Sequence, residues 1–285
     1  MDTDTFTDEN IINFSKKNFI NLKINTDTDD GLELFEKING TALPTILFLN
    51  PQGHEIDRFI GYYEPSDYLK KINDITNGIN TLKYFLTQSS LYPDSSVIAL
   101  KIGNKYLERN IKDTAKVYFE KVLLGKDKKY YQEASYKLAF LEYENNNLKP
   151  ILSFIDENPN SDFTYSALRS IIRYYKGLAD TTAEITYYEK LINLFPNNPM
   201  ALNSYGWRMS ELEINLKDAL EKTQLAVNLT ADNPESQSNI IDTEAELLWK
   251  LGKVKEAVDA IEKAIQIDPD REYYQEQKNK FIESL

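Results

Sequence analysis

The residue types that carry most enzyme chemistry are scarce in this sequence. Among 285 residues there is no cysteine and only one histidine, His54. Disulfides, thiolate metal sites, cysteine nucleophiles and Cys-x-x-Cys redox exchange are therefore excluded from the chain, and a multi-histidine zinc site cannot form. His54-Glu55 has the makings of a base and its carboxylate partner, yet no nucleophile is tied to it by spacing. A histidine after a tight turn reads as solvated. The run Asn25, Asp27, Asp29, Gly31, Glu36 echoes the oxygen spacing of a calcium loop, but Asp30 stands at the sixth position where that loop needs glycine. The simpler reading is a strand-to-helix turn whose aspartates cap the helix and favour its positive end. The ten glycines are scattered, with no phosphate-cradling loop. No catalytic residue, metal or cofactor is expected.

Those sparse groups sit in an acidic chain of net charge −12. No basic stripe offsets that charge, so a nucleic-acid backbone is an unsuitable partner, and anionic membrane surfaces are disfavoured likewise. The 41% apolar content is enough for a packed core. The longest apolar stretch, Thr45 to Leu49, is far short of the ~18 residues of a membrane span. Met1 to Thr5 is acidic where an export signal carries Lys or Arg. As written the chain reads as cytoplasmic, or as periplasmic if a signal peptide precedes it.

Two textures follow one another, with a boundary near Asn77-Gly78. Before it, helix and strand patterns alternate. Thr7 is placed to cap a helix from about Asp8 to Asn18, with Phe6 stapled against Ile11. Phe19 to Asn25 alternates Ile20, Leu22 and Ile24 with polar residues, which predicts a strand buried on one face. Gly31 to Ile38 predicts a short helix. Thr45 to Leu49 is apolar without alternation, as in a strand covered on both faces. Asn50-Pro-Gln-Gly53 predicts a turn, Glu55 to Gly61 the return strand, and Pro65 opens a helix to about Ile75.

The order α, β, α, β, β, α, with Ala42-Leu-Pro-Thr-Ile-Leu-Phe-Leu49, Asn50-Pro-Gln-Gly53, Asp57-Arg-Phe-Ile-Gly61 and Pro65-Ser-Asp-Tyr-Leu69, resembles the latter two-thirds of a thioredoxin-like domain. The resemblance implies a cis peptide before Pro44 and a substrate-binding role for Leu43 and Pro44 beside a dithiol. It also implies that the strand and helix bearing Cys-x-x-Cys lie upstream of Met1, leaving a gap in the sheet. Two explanations stay open: an internal start within a longer reading frame, whose parent is a thiol-disulfide oxidoreductase, or a remnant without redox chemistry.

After residue 78 the periodicity is helical only. Ala245, Leu248, Gly252, Ala257, Ile261, Ala264 and Pro269 recur at fixed spacing, and Gly103, Tyr106, Ala115, Phe119 and Val122 repeat part of it. These positions resemble tetratricopeptide repeats. Five hairpins are predicted, at about 96–128, 130–159, 163–196, 200–231 and 238–269. A linking helix precedes them at 81–91, and a terminal helix presents Tyr274, Phe281 and Leu285 on one face. The expected fold is thus α/β plus all-α: an incomplete thioredoxin-like domain at 1–77 and a helical-hairpin solenoid at 78–285. The repeat resemblance implies a protein-binding scaffold whose first helices line a groove. Asn104, Asp242 and Glu246 are the partner-binding candidates. Leu100 stands where a carboxylate clamp needs lysine, and the acidic Asp242 and Glu246 suit a basic or neutral protein or peptide.

Overall fold

Short polar side chains set where the first helices begin. Asp8 accepts from the amides of Asn10 and Ile11 and starts α1 (Glu9–Asn18). The cap is Asp8 rather than Thr7, because Thr5–Thr7 forms a single 3-10 turn of its own. Phe6 accordingly meets Tyr68 edge-on at 5.6 Å instead of stapling onto Ile11. Thr28 caps α2 (Asp29–Lys37) by accepting from the Gly31 amide. Asp29 and Asp30 fall in the first turn, where carboxylates favour the positive helix end.

The computed structural model describes residues 1–284, and the chain divides into two compact units, 1–156 and 157–285. In the first, β1 (Thr45–Leu49) and β2 (Glu55–Ile60) form an antiparallel hairpin, with Thr45 opposite Ile60 and Phe48 opposite Asp57. Gly53 closes the turn at φ +80°. α3 (Pro65–Thr76) follows, and Ile11, Phe48, Phe59, Tyr68, Ile72 and Ile75 form one core.

Two strand expectations are corrected. Residues 19–25 have no regular structure, and Ile20 and Leu22 are 94% and 82% exposed. Alternation makes a strand only where a neighbouring strand supplies hydrogen bonds, and β1–β2 is the whole sheet among the described residues. β1 is consequently an edge strand, not one covered on both faces, and Leu49 is half exposed.

The remainder of unit 1 is helical: α4 (Leu82–Leu91), α5 (Ser96–Leu107), α6 (Lys112–Leu124), α7 (Tyr131–Glu144) and α8 (Lys149–Glu157), which ends at the boundary. Unit 2 holds α9 (Asp162–Gly177), α10 (Thr181–Leu194), α11 (Pro199–Leu212), α12 (Leu216–Leu229), α13 (Pro234–Lys250), α14 (Val254–Ile267) and α15 (Glu272–Ile282). Four of the predicted hairpins pack as helix pairs, α5/α6, α9/α10, α11/α12 and α13/α14, and α7 and α8 occupy the span of the fifth.

One turn chemistry serves all five spans. The amide of Ile111 donates to Tyr106, Asn147 to Glu142, Asp180 to Tyr175, Ile214 to Met209 and Lys253 to Leu248. The residue before each donor, Asn110, Asn146, Ala179, Glu213 or Gly252, takes positive φ, which is the left-handed cap that ends a helix. Small residues then allow the helices to cross. A Cβ on Gly103 would lie 2.5 Å from the Phe119 ring, and Ala115 and Ala257 are fully buried as the repeat spacing predicts. Tyr274 and Phe281 of α15 are fully buried in the unit 2 core, while Leu285 lies outside the described residues.

Candidate functional site

Leu43 and Pro44 stand in the loop leading into β1. Their peptide bond is cis, Leu43 is 60% exposed, and the Pro44 carbonyl accepts from the Gly61 amide at 2.9 Å. His54 is exposed, and its amide donates to Asn50 Oδ1. The Glu55 carboxylate faces Arg58 and Arg109 at 2.5 and 2.8 Å, so the sequence neighbours His54 and Glu55 do not act as a pair. The calcium-like run serves as the α2 entry turn: Asn25 Oδ1 accepts from the Asp27 amide before Thr28 caps the helix.

The most elaborate polar cluster in unit 1 was not singled out from sequence. Asp57, fully buried on β2, accepts from Lys105 Nζ of α5 and from Arg109 Nη2 in the turn just after it, both at 2.6 Å. Lys105 also donates to the Arg58 carbonyl, Arg109 to the Lys105 carbonyl, and Arg58 to the Ile38 carbonyl at 2.7 Å. Two cations and a carboxylate thereby fasten β2 to the first helix of the α5/α6 hairpin. The available signal was the Asp57-Arg58 pair in the middle of β2, between Ile56 and Phe59. Burial raises the Glu108 carboxyl at the rim of this cluster, with Lys105 opposing the rise.

The three partner-binding candidates lie on first helices of hairpins. Asn104 of α5 donates to Glu133 Oε1 of α7 at 3.2 Å, while its own Oδ1 is buried and accepts nothing. Asp242 of α13 is 9% exposed and receives no hydrogen bond from any described residue. Its pKa is pushed up to about 6, chiefly by burial and then by the neighbouring Glu246, with Arg271 and Lys280 acting in the opposite direction. Glu246 differs in being held by Lys280 of α15 at 2.5 Å. Lys280 in turn lies 4.2 Å over the Trp249 ring, whose Nε1 donates to Ser284. Trp249 thus serves packing at the chain end. The doublet Tyr174-Tyr175 joins Tyr187 in a packed aromatic run, Tyr175 stacking on Tyr187 at 5.4 Å.

Helix pairs with small residues at their crossings, left-handed caps between them and a terminal helix closing the last pair are the features that the comparisons with known proteins address. Residues 243–271 match the family model of the tetratricopeptide repeat. That stretch carries one tetratricopeptide repeat. Among solved structures, a thermophilic TPR protein of Thermus thermophilus is 18% identical over 66% of this chain and 99% of that one, with a TM-score of 0.35. YrrB, described as a TPR protein with an unusual peptide-binding site, is 15% identical over 87% and 97%, with a TM-score of 0.31. The TPR2AB domain of yeast Sti1, in complex with pHSP90, is 10% identical over 76% and 94%, with a TM-score of 0.38. No curated protein matches the chain. Proteins built from tetratricopeptide repeats are protein-interaction scaffolds.

Proposed function

We propose that this chain is a protein-binding scaffold that takes a basic segment of its partner onto the first helices of its repeats. The observation that carries this reading is Asp242: a carboxylate 9% exposed, with no hydrogen-bond donor among the described residues. A carboxylate so largely shielded, with its oxygens still open to solvent, favours an arriving ammonium or guanidinium as donor. Asn104 Oδ1, buried without a donor, is a neutral acceptor on α5 in the first unit. Glu246 adds negative potential beside Asp242 while its own charge is balanced by Lys280. Leu43, exposed, and Pro44, half-buried, precede β1 and are proposed to meet an extended stretch of polypeptide. In this reading the chain does no chemistry of its own.

Binding of Lys- and Arg-containing peptides, with Glu-substituted peptides as controls, tests the assignment. Asp242→Asn should weaken binding of the basic peptides about tenfold, the worth of one good charge-assisted hydrogen bond. Affinity should also fall as pH drops through about 6, where Asp242 takes up a proton. Equal binding of acidic and basic peptides, or full affinity in Asp242→Asn, would remove Asp242 from the site.

A further inference from the structure

An exposed apolar segment without regular structure and an unpaired strand edge occur together in the first unit. Residues 19–25 carry Ile20, Leu22 and Ile24 at period two, 94%, 82% and 50% exposed. Those are the positions one strand face would present. The edge belongs to β1. Gly61 donates to the Pro44 carbonyl, and Ile46 and Phe48 stand opposite Phe59 and Asp57. Alternation of hydrogen-bonded and non-bonded pairs then directs Ile46 and Phe48 at β2, and turns the N–H and C=O groups of Thr45 and Leu47 outward. No described strand receives them.

We infer that the β1 edge is completed by a second copy of this chain, residues 19–25 of each copy adding as a strand to β1 of the other. A strand edge recruits a short segment with apolar side chains on alternate positions, and the chain itself displays one. The exchange is reciprocal, since each copy has one strand to give and one edge to fill, so it closes as a two-fold dimer. Three side chains exposed to this degree offer on the order of 400 Å² of apolar surface per copy, as large as the biggest patch on a typical monomer. Counting the surfaces they cover, reciprocal burial reaches about 1,600 Å², the size of a stable specific interface.

Mass measurement by light scattering across a concentration series, on the full chain, tests the inference. The wild-type chain should run at twice the chain mass. The variant with Ile20→Lys and Leu22→Lys together should run as a single copy with an unchanged circular dichroism spectrum, because both side chains are solvent-facing before association. Leu47→Pro, which deletes an outward amide while sparing the bonds to β2, should weaken association roughly tenfold or more. A synthetic peptide of residues 18–26 should compete and yield single copies. Added salt should strengthen the dimer by screening two chains of net charge −12. A wild-type chain that stays single at every concentration and salt level would overturn the proposal. So would a dimer that survives Ile20→Lys with Leu22→Lys, which would place the interface on another face.

Discussion

At the scale of single residues, two buried aspartates behave in opposite ways because their surroundings differ. Asp57 is satisfied by two cations, Lys105 and Arg109, each at 2.6 Å. Removing its charge leaves those cations in a protein interior, and breaking such an arrangement costs about 3–5 kcal/mol. Asp57→Asn should therefore lower the urea midpoint sharply, whereas replacing Asp57, Lys105 and Arg109 together with apolar residues should recover part of the loss. A midpoint unchanged in Asp57→Asn would show that the cluster is solvated. Asp242 has no donor, and its folded pKa of about 6 lies above the ordinary 3.8. Between those values the folded chain holds the extra proton, so Asp242 makes stability fall as pH rises from about 4 to 6, and the penalty persists above. Asp242→Asn should raise the thermal midpoint at pH 8 by an amount equivalent to about 1–2 kcal/mol and narrow the gap between pH 5 and pH 8. A gain in stability joined to a loss of basic-peptide binding is the pattern of a binding residue. A purely structural aspartate would lose both. Neither role was fully legible in sequence: the acidic character of Asp242 was, its lack of a donor required the neighbouring helices, and Asp57 became visible only once α5 and the turn after it brought its cations across from 48 and 52 residues away.

Among the elements, legibility tracked whether the structure closes locally. The hairpins were readable because each is built from i, i+3 and i+4 contacts, small crossing residues and a cap, all within about 34 residues. The 19–25 segment was misread because strand formation depends on a neighbour that periodicity cannot report. Caps also explain how poor turn sequences survive. Ala179 occupies the left-handed position at φ +55°, where Gly252 serves at +76° in the last hairpin. A Cβ there costs roughly 1 kcal/mol relative to glycine, partly offset by the greater freedom of glycine in the unfolded chain. Ala179→Gly should thus raise the denaturation midpoint modestly, and a fall would mean that the methyl group packs. At the crossings the tolerance runs the other way: Ala257 is fully buried, and Ala257→Leu should cost about 1–3 kcal/mol by overpacking.

For the molecule as a whole, the change of texture at 77–78 and the compact division at 156–157 raise the question of which cut leaves pieces that fold. Repeat arrays are held by nearest-neighbour contacts, so a run of hairpins keeps its own internal contacts when it is cut out between hairpins. The unit 2 core, running from Ile192 to Phe281, is drawn from its own residues. A cut at 77 is different in kind. It separates Asp57 from both of its cations, Lys105 and Arg109, while Glu55 keeps Arg58 and Lys105 keeps Glu108. The 1–77 piece would also retain a single two-stranded hairpin and a small core, near the lower limit for independent folding. Fragments 1–156 and 157–285 should each show a cooperative urea transition, and fragment 1–77 should show none. If 1–77 unfolded cooperatively alone, the Asp57 cluster would be a fastening between two self-sufficient parts. If it gains a transition only when 78–156 is attached, the α5/α6 hairpin is what completes the strand-bearing region, and the charges on β2 are the reason it cannot do without it.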